Sequence, residues 1–145
     1  MKKRVLIIGP KQSGKREIAQ YIEQSQTEIR KVANVLYTEK TMIVPDTYLE
    51  SPWMHKHIIA LQQTASCALF LVPIKSSKVS YPPNFSKIFR VPVVGMITSH
   101  GKSYTEKDQK QALNVIEKIG LSKTWYQVDL EKETDVEYLI NTLKW

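Results

Sequence analysis

Val5-Leu6-Ile7-Ile8 runs without a break into Gly9-Pro10-Lys11-Gln12-Ser13-Gly14-Lys15-Arg16, and this junction constrains the fold more than any other feature of the chain. Four consecutive apolar residues, three of them β-branched, suit a strand covered on both faces in a parallel sheet. From Lys15 to about Glu23 the pattern Ile18, Ala19, Ile22 repeats at helical spacing with no breaker. The order is therefore strand, glycine loop, helix. Glycine, four residues, glycine and lysine in that setting form the phosphate-binding loop, or P-loop. Its glycines let backbone N–H groups curl around phosphate oxygens while the helix that follows points its positive end at them. Gly9, Pro10, Lys11, Gln12, Ser13, Gly14, Lys15 and Arg16 are the candidate nucleotide-binding residues, with Lys15 placed to reach the terminal phosphates.

Arg16 departs from the pattern, which expects Ser or Thr there. The usual hydroxyl ligates the magnesium that bridges the outer phosphates, and a guanidinium has no lone pair to give a metal. Three outcomes stay open: Arg16 replaces the ion electrostatically, the metal is held only by water and phosphate, or the loop keeps its shape and has lost its ligand.

Beyond the loop, Val32 to Tyr37 and Thr41 to Val44 read as short strands joined near Thr38-Glu39-Lys40, an antiparallel edge on a mostly parallel sheet. Ser25 to Lys31 is polar and expected to be irregular. Trp53 to Thr64 reads as a helix, Ala68 to Val72 as a strand, and Pro73 to Phe89 as a loop or poorly formed short helix. Val91 to Ile97 is another buried strand, with Pro92 near its start, where a missing N–H is tolerated. Thr105 to Ile119 places Ala112, Leu113, Val115, Ile116 and Ile119 on one face and ends at Gly120, a C-cap. Thr124 to Val128 and Thr134 to Leu143 complete the alternation as strand and helix. Strands alternating with helices predict an α/β, three-layer αβα fold in one domain over residues 1–145, with right-handed crossovers.

Composition narrows the function classes. The net charge of +7 favours anionic partners, but the lysines are spread along the chain without interleaved aromatics, so nucleic acid is not an expected partner. The apolar run near the N-terminus is too short for a signal-peptide core, and nothing approaches a membrane span, so a cytoplasmic protein without a membrane partner is expected. The one cysteine, Cys67, falls in an apolar strand and is expected to be a buried thiol. His55 and His57 stand two apart on a helix and do not share a face, which argues against a metal pair. Trp53, Trp125 and Trp145 are expected in the core or at helix-docking positions. Ser13 lacks a histidine and carboxylate that would make it a nucleophile.

The P-loop, the segment Tyr48-Leu49-Glu50-Ser51-Pro52 leading into a helix, the strand Ala68 to Val72 and the strand ending Gly95-Met96-Ile97-Thr98 together resemble the EutP/PduV family of ethanolamine and propanediol utilisation over essentially the whole chain. The resemblance implies a Ras-like P-loop NTPase fold and a role in bacterial microcompartments. Laid on this chain, the family's Asp-Thr-Pro-Gly motif falls on Ile43, Val44, Pro45 and Asp46, so its metal-side carboxylate is missing, with Asp46 three residues away. A Lys-Thr-Gln stretch of the first switch falls on Arg30-Lys31-Val32-Ala33 and loses its threonine. The base-reading Thr-Lys-x-Asp motif corresponds to Thr98-Ser99-His100-Gly101, where Gly101 has no carboxylate for guanine; Lys102 or Asp129 would have to compensate.

The resemblance thus implies a microcompartment-associated protein that binds a nucleoside triphosphate, ATP or GTP, with degenerate metal and guanine motifs and a doubtful need for Mg2+. Its partners would be the nucleotide and microcompartment shell or enzyme proteins. An active ATP-using phosphotransferase or NTPase and a nucleotide-independent interaction module stand as alternatives, and whether the chain is an enzyme is left open.

Overall fold

The computed structural model describes residues 3–23, 34–75, 81–101 and 103–142. Strands β1 (Arg4–Ile8), β2 (Leu36–Tyr37), β3 (Thr41–Ile43), β4 (Ala65–Pro73), β5 (Val93–Ser99) and β6 (Trp125–Asp129) form one sheet in the order β2-β3-β1-β4-β5-β6. Only the β2–β3 pair is antiparallel, with Leu36 opposite Ile43; every other neighbouring pair is parallel. The expected antiparallel edge is therefore present, although the first of its strands is short. The Ser25–Lys31 segment and the Arg30–Ala33 stretch lie outside the described residues, as do Lys102, Leu143 and Trp145.

Because strand side chains alternate between faces, the run Val5 to Ile8 must feed two cores. Val5 and Ile7 join Leu69, Leu71, Met96 and Val128 under helices α1 (Lys15–Glu23) and α5 (Glu133–Thr142), with Ile18, Ala19, Ile22, Val136 and Leu139 pointing down from the helices. Leu6 and Ile8 join Ala68, Phe70, Val72 and Ile97 on the other face. Helices α2 (Asp46–Glu50), α3 (His55–Leu61) and α4 (Glu106–Ile119) cover that face through Leu49, Ile58, Val115 and Ile116. This is a three-layer αβα arrangement. Helix α4 begins at a capping box, with the Thr105 hydroxyl accepting from the Asp108 N–H and the Asp108 carboxylate from the Thr105 N–H, and it closes at Gly120.

Three expectations change. The Trp53–Thr64 segment is helical but not one α-helix: only His55–Leu61 is α-helical, with 3-10 turns Pro52–Met54 before it and Gln62–Thr64 after it. Trp53 is 72% exposed and is not a core residue. Residues 81–89, read as loop or poor helix, contribute heavily to the core. Tyr81, Phe85 and Phe89 are buried around Phe70, with ring centroids 5.8, 6.0 and 5.2 Å from it, and Phe85–Ile88 forms a 3-10 turn. Edge-to-face pairs of this kind contribute about 0.5–1.5 kcal/mol each beyond their burial. Cys67 is buried, and burial pushes its thiol pKa up.

Candidate phosphate-binding site

Parallel strands carry their ligand sites at their carboxyl ends. Here β1 ends against the Gly9–Lys15 turn, which α1 continues. Two residues of the turn lie in the left-handed region, Gln12 at φ 62° and Gly14 at φ 91°. For Gln12 that conformation costs about 1–2 kcal/mol, so the surrounding fold must hold it. Gly14 has a second constraint, since a Cβ there would lie 2.4 Å from Leu130 Cδ1. At Gly9 a Cβ would meet Ser13 Oγ at 2.4 Å and Leu71 Cβ at 3.0 Å, which explains the glycine at the strand exit.

The turn is anchored from beneath. Thr98, at the end of β5, donates its hydroxyl to Ser13 O at 2.8 Å, and the Tyr81 hydroxyl lies 3.1 Å from Ile8 O and 2.9 Å from Leu71 O. Complete burial drives the Tyr81 phenol pKa well above its ordinary value, so it stays a neutral donor. Ser13 Oγ is buried without a hydrogen-bond partner among the described residues.

Pro10, Lys11, Gln12, Ser13, Gly14, Lys15 and Arg16 line a cavity of about 670 Å³ together with Asp46 and Leu130, while Gly9 lies at the strand exit outside its lining. Lys11, Gln12 and Arg16 are exposed at its mouth. Lys15 is only 8% exposed and points back across the turn. Its Nζ donates to Gly9 O at 2.6 Å, to Pro10 O at 3.3 Å and to the Asp46 carboxylate. The alignment that puts a missing metal-side carboxylate at Ile43 is thus only half the story. Ile43 is an apolar strand residue paired with Ile7, but three residues on, at the start of α2, Asp46 brings a carboxylate to the lysine.

Arg16 stands where the P-loop pattern carries a metal-ligating hydroxyl. Arg16 offers no lone pair, Asp46 is ion-paired with Lys15, and Glu17, the other carboxylate lining the cavity, is hydrogen-bonded by His100 Nε2 at 2.9 Å. Among the described residues no group of three or more His, Cys, Asp or Glu side chains could hold a metal ion. The site fits the phosphate end of a ligand: a turn in the conformation that gathers main-chain N–H groups, a helix N-terminus and two cations.

At the base-reading end, Asp129 is tied to the neighbouring backbone. Its Oδ1 accepts the Gly101 and Glu131 N–H groups, each at 3.0 Å, and the Gly101 bond above all holds the carboxyl below its ordinary pKa. The Leu130 N–H is also engaged, by Ser99 O at 2.7 Å, and the Leu130 side chain packs on Gly14. His100 is exposed and ties the end of β5 to α1 through Glu17. His55 differs from a solvated histidine, since its Nε2 is 2.7 Å from Leu49 O and its ring is 5.5 Å from Phe85. Sequence reasoning missed Tyr81 and Leu130 altogether. Tyr81 had a signal, the four-residue spacing of Tyr81, Phe85 and Phe89; for Leu130 nothing local gave one.

Comparison with known proteins agrees with this architecture. The PduV-EutP family, described as "Ethanolamine utilisation - propanediol utilisation", matches residues 1–145. The propanediol utilization protein PduV of Citrobacter freundii is 24% identical over 96 residues, 66% of this chain and 64% of that protein, so the match spans just under two thirds of the relative. Among solved structures, a probable GTP-binding protein engB superposes with a TM-score of 0.61 at 13% identity, covering 95% of this chain and 94% of that one. A bacterial selenocysteine-specific elongation factor EF-Sec gives 0.63 at 13% identity, over 97% of this chain and 28% of its own. Era, solved with MgGDPNP and a ribosomal RNA fragment, gives 0.58 at 15% identity over 97% and 55%. These likenesses establish the Ras-like P-loop fold.

Proposed function

We propose, from the premise that this chain belongs to the PduV-EutP family of ethanolamine and propanediol utilisation proteins, that it binds a nucleoside triphosphate through Gly9–Arg16 without relying on magnesium and with little preference for the base. The observation that carries the reading is the turn itself, with Gln12 and Gly14 held in the left-handed region over the N-terminus of α1 and Lys15 and Arg16 beside it. Main-chain N–H groups supply directional bonds to phosphate oxygens, Lys15 supplies charge from within, and the Arg16 guanidinium supplies charge where a metal ligand is expected. Weak base selectivity follows from the engaged Asp129 carboxylate and the absence of one at Gly101. The family and its propanediol utilisation relative support service in that pathway, with microcompartment shell or enzyme proteins as partners.

Calorimetric titration with ATP, GTP and their diphosphates, each with and without Mg2+, tests the reading. The expected result is binding of both triphosphates with affinities within about tenfold of each other and little change on adding metal. Lys15→Ala should abolish binding. Turnover that appears only with Mg2+ would favour the active NTPase or phosphotransferase, and silence at millimolar ligand the nucleotide-independent interaction module.

A further inference from the structure

At the opposite end of β1 from the phosphate turn, a groove of about 610 Å³ runs between α3 and the segment leading into β5. Lys3, Lys56 and Arg90 stand around it, each exposed, and no acidic residue lines it. Among the described residues none of the three charged heads takes part in an ion pair. Its apolar lining comes from Ile59, Ala60, Ala65 and Val91, with Gln62 and Gln63 beside them, and Ile88 stands at its edge 52% exposed. The wall is fixed: Gln62 Oε1 accepts the Arg90 N–H at 2.5 Å, and Ala68 N–H donates to Pro92 O at 2.9 Å.

We infer that this groove docks an acidic, amphipathic segment of a partner protein, its apolar side chains seated against Ile59, Ile88 and Val91 and its carboxylates meeting Lys3, Lys56 and Arg90. Charge complementarity names the partner's sign: three cations crowd one concavity with no local counter-charge, on a chain of net charge +7. The apolar lining names its class. Single-stranded nucleic acid is gripped by aromatic platforms, and no aromatic residue lines the groove. A bilayer presents a plane of headgroups, whereas these cations ring a hollow with an apolar lining. Five strand residues, roughly 15 Å at the usual rise, separate the groove from the phosphate turn, so docking does not depend on nucleotide.

The test is fluorescence anisotropy of the full chain with a labelled synthetic peptide of Glu, Leu and Ala patterned as an amphipathic helix. The comparison probes are the same residues scrambled, a Lys-for-Glu version, oligothymidylate and phosphatidylserine vesicles. The acidic amphipathic peptide should bind best, and binding should weaken as salt rises. The K56E/R90E double variant should lose about tenfold or more and gain the Lys-bearing peptide, and Ile88→Ser should lose roughly threefold. The gain by the reversed groove cannot come from unfolding. Equal binding of the scrambled peptide, tighter binding of oligothymidylate or vesicles, or indifference to the charge reversal would each overturn the assignment.

Discussion

Replacing Asp46 with Asn should tighten triphosphate binding while making the protein less stable. Lys15 Nζ donates to Gly9 O, Pro10 O and the Asp46 carboxylate. A phosphate arriving at the turn asks for the same ammonium, and the carboxylate is the anion it must displace or crowd. Turning the carboxylate into an amide replaces a charge-assisted contact with a neutral one, a difference of about 1.4 kcal/mol, and so lowers Kd by about tenfold. Removing a nearby negative charge from the ligand adds in the same direction. The same change weakens a buried ion pair. Complete loss of one partner costs about 3–5 kcal/mol, but the Asn oxygen still accepts, so about 2 kcal/mol is expected, or roughly 4–8 °C in Tm for a chain of this size. Calorimetry with ATP and thermal unfolding with and without ATP measure both effects, and the ligand-induced rise in Tm should be larger in the variant. If D46N binds ATP no better than the parent, or loses only a magnesium-dependent component, the carboxylate does not compete for Lys15 and the reasoning fails.

Tyr81→Phe removes a buried hydroxyl that braces Ile8 O and Leu71 O, and should cost about 1–2 kcal/mol in urea unfolding while leaving peptide docking at the basic groove untouched. Gln12→Gly relieves a left-handed conformation and should leave stability equal or raise it by up to about 1 kcal/mol, whereas Gly14→Ala, at φ 91° and against Leu130, should lower the thermal midpoint clearly. Asp129 has a folded pKa below its ordinary value, so its contribution is present above about pH 4 and is lost as pH falls through the depressed folded value. Urea midpoints of the parent and Asp129→Ala should therefore differ at neutral pH, the parent's being higher, and converge in acid.

What could be read from the chain follows the range of the forces involved. The strand, turn and helix at the N-terminus announce themselves because β-branched runs, glycine spacing and helical periodicity are local. Thr105 and Gly120 mark α4 for the same reason. Trp53 was misjudged because large aromatic side chains are usually buried, and only the tertiary path after Pro52 leaves this one in solvent. Residues 81–89 carried their message at a four-residue interval that prolines and serines obscured. The pairings that define the site, Asp46 with Lys15, Thr98 with Ser13 and Leu130 with Gly14, join residues 31, 85 and 116 positions apart and leave no mark on either stretch of sequence.

The atoms that would grip an anion in the Gly9–Lys15 turn are amide hydrogens, which nearly every amino acid carries. Selection on such a cradle acts on backbone shape, through a few small residues and the props below them, and leaves Lys11 nearly unconstrained in chemistry. A lineage can therefore exchange its metal ligand and its base reader and still keep a place for phosphate.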